Sequence, residues 1–342
     1  MDLEAGVPQG SILGPLLYIC FTNDLPETIH DHLPENNTFF NINCSSCGGI
    51  CCFANDSTYT KSSSDPQLLK LDIDNKYKQI TRYMASNKLV LNSDKTHLLV
   101  MCTPSNHKKN DNFNITLNTG SEIINPVKSE KLLGGLVSND FLWNTHIRDD
   151  EKSLFRNLVS RINALSKISR FSSFKTRKMI ANGVIMSRLI YLIQLWGGSS
   201  FYLIRMLQIL QNRAARLVTK LGWYTPVKTL LLQCGWLSVH QLVHYHSLVL
   251  VFKIRDVNKP KYFCDKLKSE FCRETRLATG GGIRKNQKIK HKTTQQSFIP
   301  RTVDIWNKLP QDLRLTPTLP KFKKKLKLWI IRNIPIQPSI NS

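Results

Sequence analysis

The chain has 342 residues, 41% of them hydrophobic, and a formal net charge of +24. That much apolar material excludes an intrinsically disordered chain, and the length allows two or three domains around a sizeable core. No apolar run is long and charge-free enough to cross a bilayer. The best one, GVIMSRLIYLIQLWGG from Gly183 to Gly198, is short, carries Arg188 in its middle and reads as a buried helix. The first residues show no basic n-region or apolar h-region, so the expected location is cytoplasmic or nuclear, with no membrane partner. The nine cysteines are then expected as reduced thiols, with Cys20, Cys44, Cys47, Cys51 and Cys52 in the first sixty residues.

Charge divides the chain unevenly. Residues 1–150 hold 12 Lys and Arg against 17 Asp and Glu, a net of −5, and residues 151–342 hold 36 against 7, a net of +29. The second part attracts polyanions, and nucleic acid is the leading one. A ribosomal-protein-like or merely soluble basic surface is the bland alternative. A membrane surface fits less well, because the basic residues are spread over many helices rather than one amphipathic segment.

In chain order, the loop GVPQGS at Gly6–Ser11 runs into an apolar segment, Ile12 to Asp24, with helical spacing and Pro26 as its stop. Ser11 is placed to cap that helix. A polar, Asn-rich insert follows from Glu27 to Ser46. GGICCFANDSTYT reads as a strand, a turn near Asn55–Asp56–Ser57 and a return strand. Asp65 to Asn87 is a helix with Leu68, Leu69, Ile73, Tyr77, Ile80 and Met84 on one face. KLVLNSDKTHLLVM, from Lys88 to Met101, gives two apolar runs around a polar turn. Ile115 to Val137 is strand-like, broken at Gly120 and at Gly134–Gly135. From Glu151 long helices take over, at about 151–170, 174–197, 201–220 and 236–256. The third places Arg213, Arg216 and Lys220 on one face by their spacing of three and four. Residues 258–297 read as a basic linker, and RTVDIWNKLPQDLR and PKFKKKLKLWIIRNI as a last helical pair.

A GxPQGS loop before a helix, then a hairpin with Phe53-Ala54-Asn55-Asp56 at its tip, resembles the palm of a reverse transcriptase. The similarity is greatest to non-LTR (LINE-type) retrotransposon enzymes. It continues collinearly: NKLVLNSDKTHLLVM looks like the next motif with its lysine turn, and SEKLLGGLVSNDFLWNTHI like the primer-grip region. LIYLIQLWGG, LQNRAARLVTK, CGWLSVHQLVHYHSLVLVFKI and RTVDIWNKLPQDLR look like the thumb and the helices beyond it. The resemblance implies an α+β chain: an incomplete polymerase palm over 1–140, a helical, basic, thumb-like domain over 141–257, the linker 258–297 and a C-terminal helical segment over 298–342.

In that family Gly6, Pro8, Gln9, Gly10 and Ser11 would lie against the incoming nucleotide and template. The glycines leave room for a base against the backbone, and Gln9 offers an amide. Two Mg²⁺ ions would be held by three carboxylates, one on an upstream strand and a pair at the hairpin tip. Of these only Asp56 is present. Asn55 stands in the first position of the pair, where a neutral amide offsets little of the metal's charge, and the upstream strand is missing. Lys95 occupies the position of a lysine that assists pyrophosphate departure, although in a polar turn it serves equally as a solvated charge. Gly134 and Gly135 fit either a primer contact or a hairpin bend.

The implied partners are RNA, RNA–DNA hybrid or DNA, with no small-molecule substrate beyond a deoxynucleoside triphosphate. Cys44-x-x-Cys47 has zinc-knuckle spacing, with His30, His32, Cys51 or Cys52 to complete it. Reduced structural thiols are the preferred reading, because one of Cys51 and Cys52 should point into the core. No HExxH, GxSxG or Walker sequence occurs. The expectation is therefore a retrotransposon-derived reverse transcriptase fragment without polymerase activity. A non-enzymatic RNA- or DNA-binding protein built from the basic half, and a decayed element without a cellular role, are the alternatives.

Overall fold

The computed structural model describes residues 12–25, 48–54, 56–102, 115–119, 122–260, 263–264, 267, 280–283 and 292–337. The chain forms two units, 1–130 and 131–342. The described residues are helices with small two-stranded antiparallel sheets, an α+β composition.

In the first unit, α1 spans Gly14–Phe21. It is shorter than Ile12 to Asp24 at both ends, because Pro15 fixes its first turn and Thr22 closes its last, donating Oγ1 to the Tyr18 carbonyl at 2.9 Å. The N-cap is Leu13, without a side-chain acceptor. Strand β1 (Gly49–Phe53) pairs with β2 (Asp56–Thr60). Helix α2 (Pro66–Ser86) begins at Asp65, whose Oδ1 accepts from Gln67 N at 2.8 Å and Leu68 N at 3.4 Å. Two small cores share α2. Tyr83 and Met84 close on Leu25 and Ile50, while Leu69, Ile73 and Tyr77 lie against Leu98, Ile115 and Leu117.

Strands β3 (Leu117–Asn118) and β4 (Ile123–Ile124) form the second sheet. Among the described residues the apolar runs of Lys88–Met101 pair at Leu98, which bridges Pro126, around a single 3₁₀ turn at Ser93–Lys95. Cys51 and Cys52 are both exposed, contrary to the expectation of one core thiol. A two-stranded sheet has too little cover to bury a face along its whole length, and here burial ends at Ile50.

Strand β5 (Ser129–Leu132), within which the units divide, pairs with β6 (Gly135–Ser138). The second unit then becomes helical: α3 (Leu154–Ser169), α4 (Phe174–Ala181), α5 (Ser187–Ile190), α6 (Ile193–Trp196), α7 (Phe201–Thr219), α8 (Val227–Cys234), α9 (Val239–Val257), α10 (Phe298–Lys308) and α11 (Leu319–Asn333). The single helix expected over 174–197 is broken. A π turn occupies Asn182–Met186, and Leu192 turns left-handed at φ 54°. The Trp196 indole N–H then donates to the Tyr191 carbonyl at 2.9 Å, satisfying a group the break would leave open. Arg188 is exposed, so this stretch is a one-sided helix rather than a buried one.

One core runs through the second unit, from Leu158 and Ile162 on α3 to Trp306 on α10 and Phe322, Leu326 and Ile330 on α11. The backbone of Gly197 and Gly198 is what lets this core close. A Cβ on Gly197 would meet Val243 at 2.6 Å, and one on Gly198 the Gln296 carbonyl at 2.1 Å.

Candidate nucleic-acid interface

The hairpin tip is built from the register of β1 and β2. Phe53 faces Asp56, so Ala54 and Asn55 form a two-residue connection, with Ala54 at φ 52°. Asp56 is thereby the first residue of β2 and exposed. Behind the tip, Tyr59 donates to Asp72 Oδ2 on α2 at 3.0 Å, and Lys61 lies 3.5 Å from the same oxygen. On the other side Tyr83 donates to Asp24 Oδ1 at 2.5 Å. Burial, with the hydrogen bond to Asp24, raises the Tyr83 pKa. These contacts hold the hairpin and α1 to α2 without adding a carboxylate at the tip.

Asn55 itself and Gly6, Pro8, Gln9, Gly10 and Ser11 lie outside the described residues, as do Cys44, Cys47, His30 and His32. Among the described residues no three of His, Cys, Asp and Glu come close enough to hold a metal ion. A divalent metal such as Mg²⁺, which polymerase chemistry requires, would find at this tip one carboxylate and a neutral amide in sequence beside it. That donor set does not fit a two-metal centre.

Lys95 ends the 3₁₀ turn. Its backbone N–H donates to Asn92 Oδ1 at 3.2 Å, and its side chain is exposed. Gly134 belongs to a hairpin bend: Leu133 and Gly134 both have positive φ, 46° and 83°, between β5 and β6. Tyr191 donates to the Leu133 carbonyl, which fixes that bend.

The basic helix α7 sorts its residues by face. Leu207, Ala214, Ala215 and Val218 are buried. Arg213 is exposed and donates to Asn163 Oδ1 on α3 at 3.0 Å. Arg216 is half-buried. Its guanidinium lies 4.7 Å from the centre of the Trp223 ring and donates to the Trp223 carbonyl at 3.2 Å. Lys220 is exposed and caps the helix in the left-handed conformation at φ 58°. The three cations therefore stand at the last two turns of α7, with Arg216 turned onto the following loop. Between Glu151 and Asp256 the sequence holds sixteen Lys and Arg residues and not one Asp or Glu. The helices of this stretch carry no acidic side chain before Asp256, in the last turn of α9.

Sequence reasoning missed the polar half of the same helix. Gln208, Gln211 and Asn212 are buried. Gln208 Nε2 donates to Gln211 Oε1 at 2.9 Å and to Asn212 Oδ1 at 2.7 Å, and its Oε1 accepts from Val239 N at 2.8 Å. Gln211 Nε2 donates to the Leu237 carbonyl at 2.9 Å. These amides hold the start of α9, where Ser238 and Gln241 form a capping box. The signal was available in the run QILQN, where amides recur on the apolar side at spacings of three and four. Arg177 is likewise buried, donating to the Val218 carbonyl at 2.9 Å near the end of α7.

On α9, His240 and His244 approach at 3.0 Å between their Nε2 atoms, and His240 Nδ1 lies 3.1 Å from the Pro335 carbonyl. Burial, then the neighbouring His240, Arg301 and Lys308, pushes the His244 pKa down to about 3. Burial with Lys323 nearby pushes His246 down to about 4. The cations facing this group make it unsuited to a metal, and it reads as neutral packing.

No family model matches the chain, and no solved structure matches it. Curated proteins do. The chain is 23% identical over 252 residues to the probable RNA-directed DNA polymerase from transposon X-element of Drosophila melanogaster, covering 72% of this chain and 25% of that protein. It is 23% identical over 255 residues to the probable RNA-directed DNA polymerase from transposon BS of the same species, with 72% and 26% covered. It is 24% identical over 229 residues to the RNA-directed DNA polymerase from mobile element jockey of Drosophila funebris, with 65% and 22% covered. The chain spans about a quarter of the length of these curated relatives. The chain is thus similar, over about two thirds of its length, to RNA-directed DNA polymerases of Drosophila transposons, and no helix among the described residues is long and apolar enough to cross a membrane.

Proposed function

We propose that this chain binds nucleic acid through its basic helical unit and does not itself polymerise DNA. The observation that carries the binding is the stretch from Glu151 to Asp256, sixteen cations without an acid, folded into helices around one core. A basic surface without internal counter-charges is compensated by phosphates, and displacement of their counterions supplies the affinity. The partners are RNA, RNA–DNA hybrid or DNA, the polyanions that the relatives' names bring with them. Arg213 and Lys220 reach solvent and serve as phosphate contacts, with Arg216 positioned by Trp223.

In this reading residues 1–140 correspond to part of a polymerase palm, with Asp56 at the tip of its hairpin and the Gly6–Ser11 loop on the nucleotide side. Residues 141–257 act as a thumb, 258–297 connect, and 298–342 brace the thumb by lending α10 and α11 to its core. Inactivity rests on Asn55. A neutral amide beside the lone Asp56 cannot assemble a centre for two Mg²⁺ ions, and Lys95 has no pyrophosphate to release.

Fluorescence anisotropy of the full chain with an RNA–DNA hybrid at several salt concentrations tests the binding. Log K should fall linearly with log salt, losing on the order of 10³-fold between low and physiological salt if six or more phosphates are contacted. Replacing Arg213, Arg216 and Lys220 by Gln together should flatten that slope. Affinity indifferent to salt would overturn the reading. Primer extension with Mg²⁺ or Mn²⁺ tests the inactivity: synthesis above that of Asp56→Ala would refute it.

A further inference from the structure

After Lys220 the chain makes a tight turn in which Thr225 N donates to the Gly222 carbonyl at 3.1 Å. Trp223 and Tyr224 occupy the two central positions of this turn, and Pro226 then opens α8 as its N-cap. Turns of this kind favour Gly, Asn, Asp or Pro at their centres, and nothing in the backbone asks for two aromatic rings. Yet the rings are there, and they are in water: Trp223 is 75% exposed and Tyr224 97% exposed.

One face of Trp223 is accounted for by the Arg216 guanidinium, 4.7 Å from the ring centre, which also holds the loop through the Trp223 carbonyl. Tyr224 packs against almost nothing. The turn thus carries two flat rings on a short, anchored loop directly after the three cations of α7. It lies in a region with no acidic side chain for a hundred residues of sequence.

We propose that Trp223 and Tyr224 form a stacking platform for unpaired bases of a nucleic-acid strand whose phosphates are held by Arg213, Arg216 and Lys220. This rests on the nucleic-acid reading above and deepens it, from phosphate attraction alone to a preference for single-stranded over duplex ends. Charge selects the occupant. A protein partner binding here would have to bring its own acids to a stretch that holds sixteen cations and no acid, whereas a single strand brings one phosphate for every base that stacks. Stacking is indifferent to base identity, so the platform confers strandedness and not sequence. Bases inside a duplex present no free face to the rings.

The test compares three probes on the full chain: a twelve-nucleotide oligothymidine, a twelve-unit abasic strand with the same phosphates, and a blunt twelve-pair duplex. Wild-type protein should bind the oligothymidine more tightly than the abasic strand. Tyr224→Ala removes a side chain that touches almost nothing, so folding is not at stake. It should weaken oligothymidine binding roughly five- to a hundredfold, and leave abasic and duplex binding and every salt slope unchanged. Trp223→Phe should retain most of the affinity, because a ring remains. If Tyr224→Ala binds all three probes as the wild type does, or weakens all three equally, the platform is refuted while salt-dependent binding stands. If the wild type binds none of them, the nucleic-acid reading fails and the platform with it. A wild-type preference for acidic polypeptide over all three probes would replace the strand by a protein partner.

Discussion

The two units use the same kinds of residue to different effect. In the first unit, α2 divides its apolar side chains between two clusters, one built around Leu25, Ile50, Tyr83 and Met84, the other around Leu98, Ile115 and Leu117. The large side chains of α1, among them Leu16, Leu17, Ile19 and Phe21, stay exposed. In the second unit, one continuous core collects residues from α3 to α11 and fully buries Trp196, Trp306 and Phe322. The comparison teaches where each unit's residues are constrained. A unit with one large core fixes its surface firmly enough to display a charge pattern. A unit with two small cores is held in good part by polar ties such as Asp65, Asp72 and Asp24.

The difference can be broken from its strongest point. Trp196→Ala empties a fully buried site in the second unit and removes a hydrogen bond to the Tyr191 carbonyl, so it should cost about 3–5 kcal/mol. Urea unfolding followed by circular dichroism would measure it. A loss below about 1 kcal/mol would mean that the large core does not close as described.

Acid should come next. His244 and His246 are held below their ordinary values by burial and nearby cations, at about 3 and about 4. The unfolded chain therefore takes up protons near pH 6.5 that the folded chain refuses. Stability is full above that pH and falls as pH drops toward those values, by up to about 1.4 kcal/mol per pH unit for each histidine. Urea midpoints at pH 7.5 and 5.0 should show the fall, and His244→Gln should reduce it. An identical pH dependence in that variant would place the effect elsewhere.

Gln211→Ala sharpens the comparison at the level of one buried amide. It strands the Leu237 carbonyl and takes one acceptor away from the Gln208 Nε2 donor, an expected cost of about 1–3 kcal/mol. Loss of helical signal at α8 and α9 before α3, read by hydrogen exchange, would show that the amide ties those elements together. Uniform exchange would show that it does not.

The smallest effect is expected in the first unit. Asn55→Asp adds a carboxylate next to Asp56, where two neighbouring negative charges attract a divalent ion weakly. Isothermal titration with Mn²⁺ should detect little gain and primer extension none. Recovery of DNA synthesis by that one change would disprove the account of inactivity.

Much of the second unit was legible from periodicity. The helices at 154–169, 201–219 and 239–257 fall where the apolar spacing puts them, because amphipathic helices of that length carry their own signal. The break at Leu192 was not legible. No Pro or Gly marks it, and the left-handed residue is held by packing around Trp196. The polar turn at Lys95 was legible, but not that Asn92 would cap it as a 3₁₀ turn while the flanking apolar runs form little strand ladder.

The candidate site divides in the same way. The sequence alone determined that the chain is basic from residue 151 onward and that Asn55 stands beside Asp56, and it carried the resemblance of the motif order to reverse transcriptases, since charge, identity and order need no coordinates. Only the tertiary structure decided which polar residues of α7 face inward, that both Cys51 and Cys52 stay in water, and that Trp223 and Tyr224 stand exposed at the centre of a turn. Spacing reports a residue's position around its own helix or strand. Whether that position meets a neighbour or solvent depends on elements far away in the chain, and here Gly197, Gly198 and the amides of Gln208 and Gln211 set how closely those elements approach.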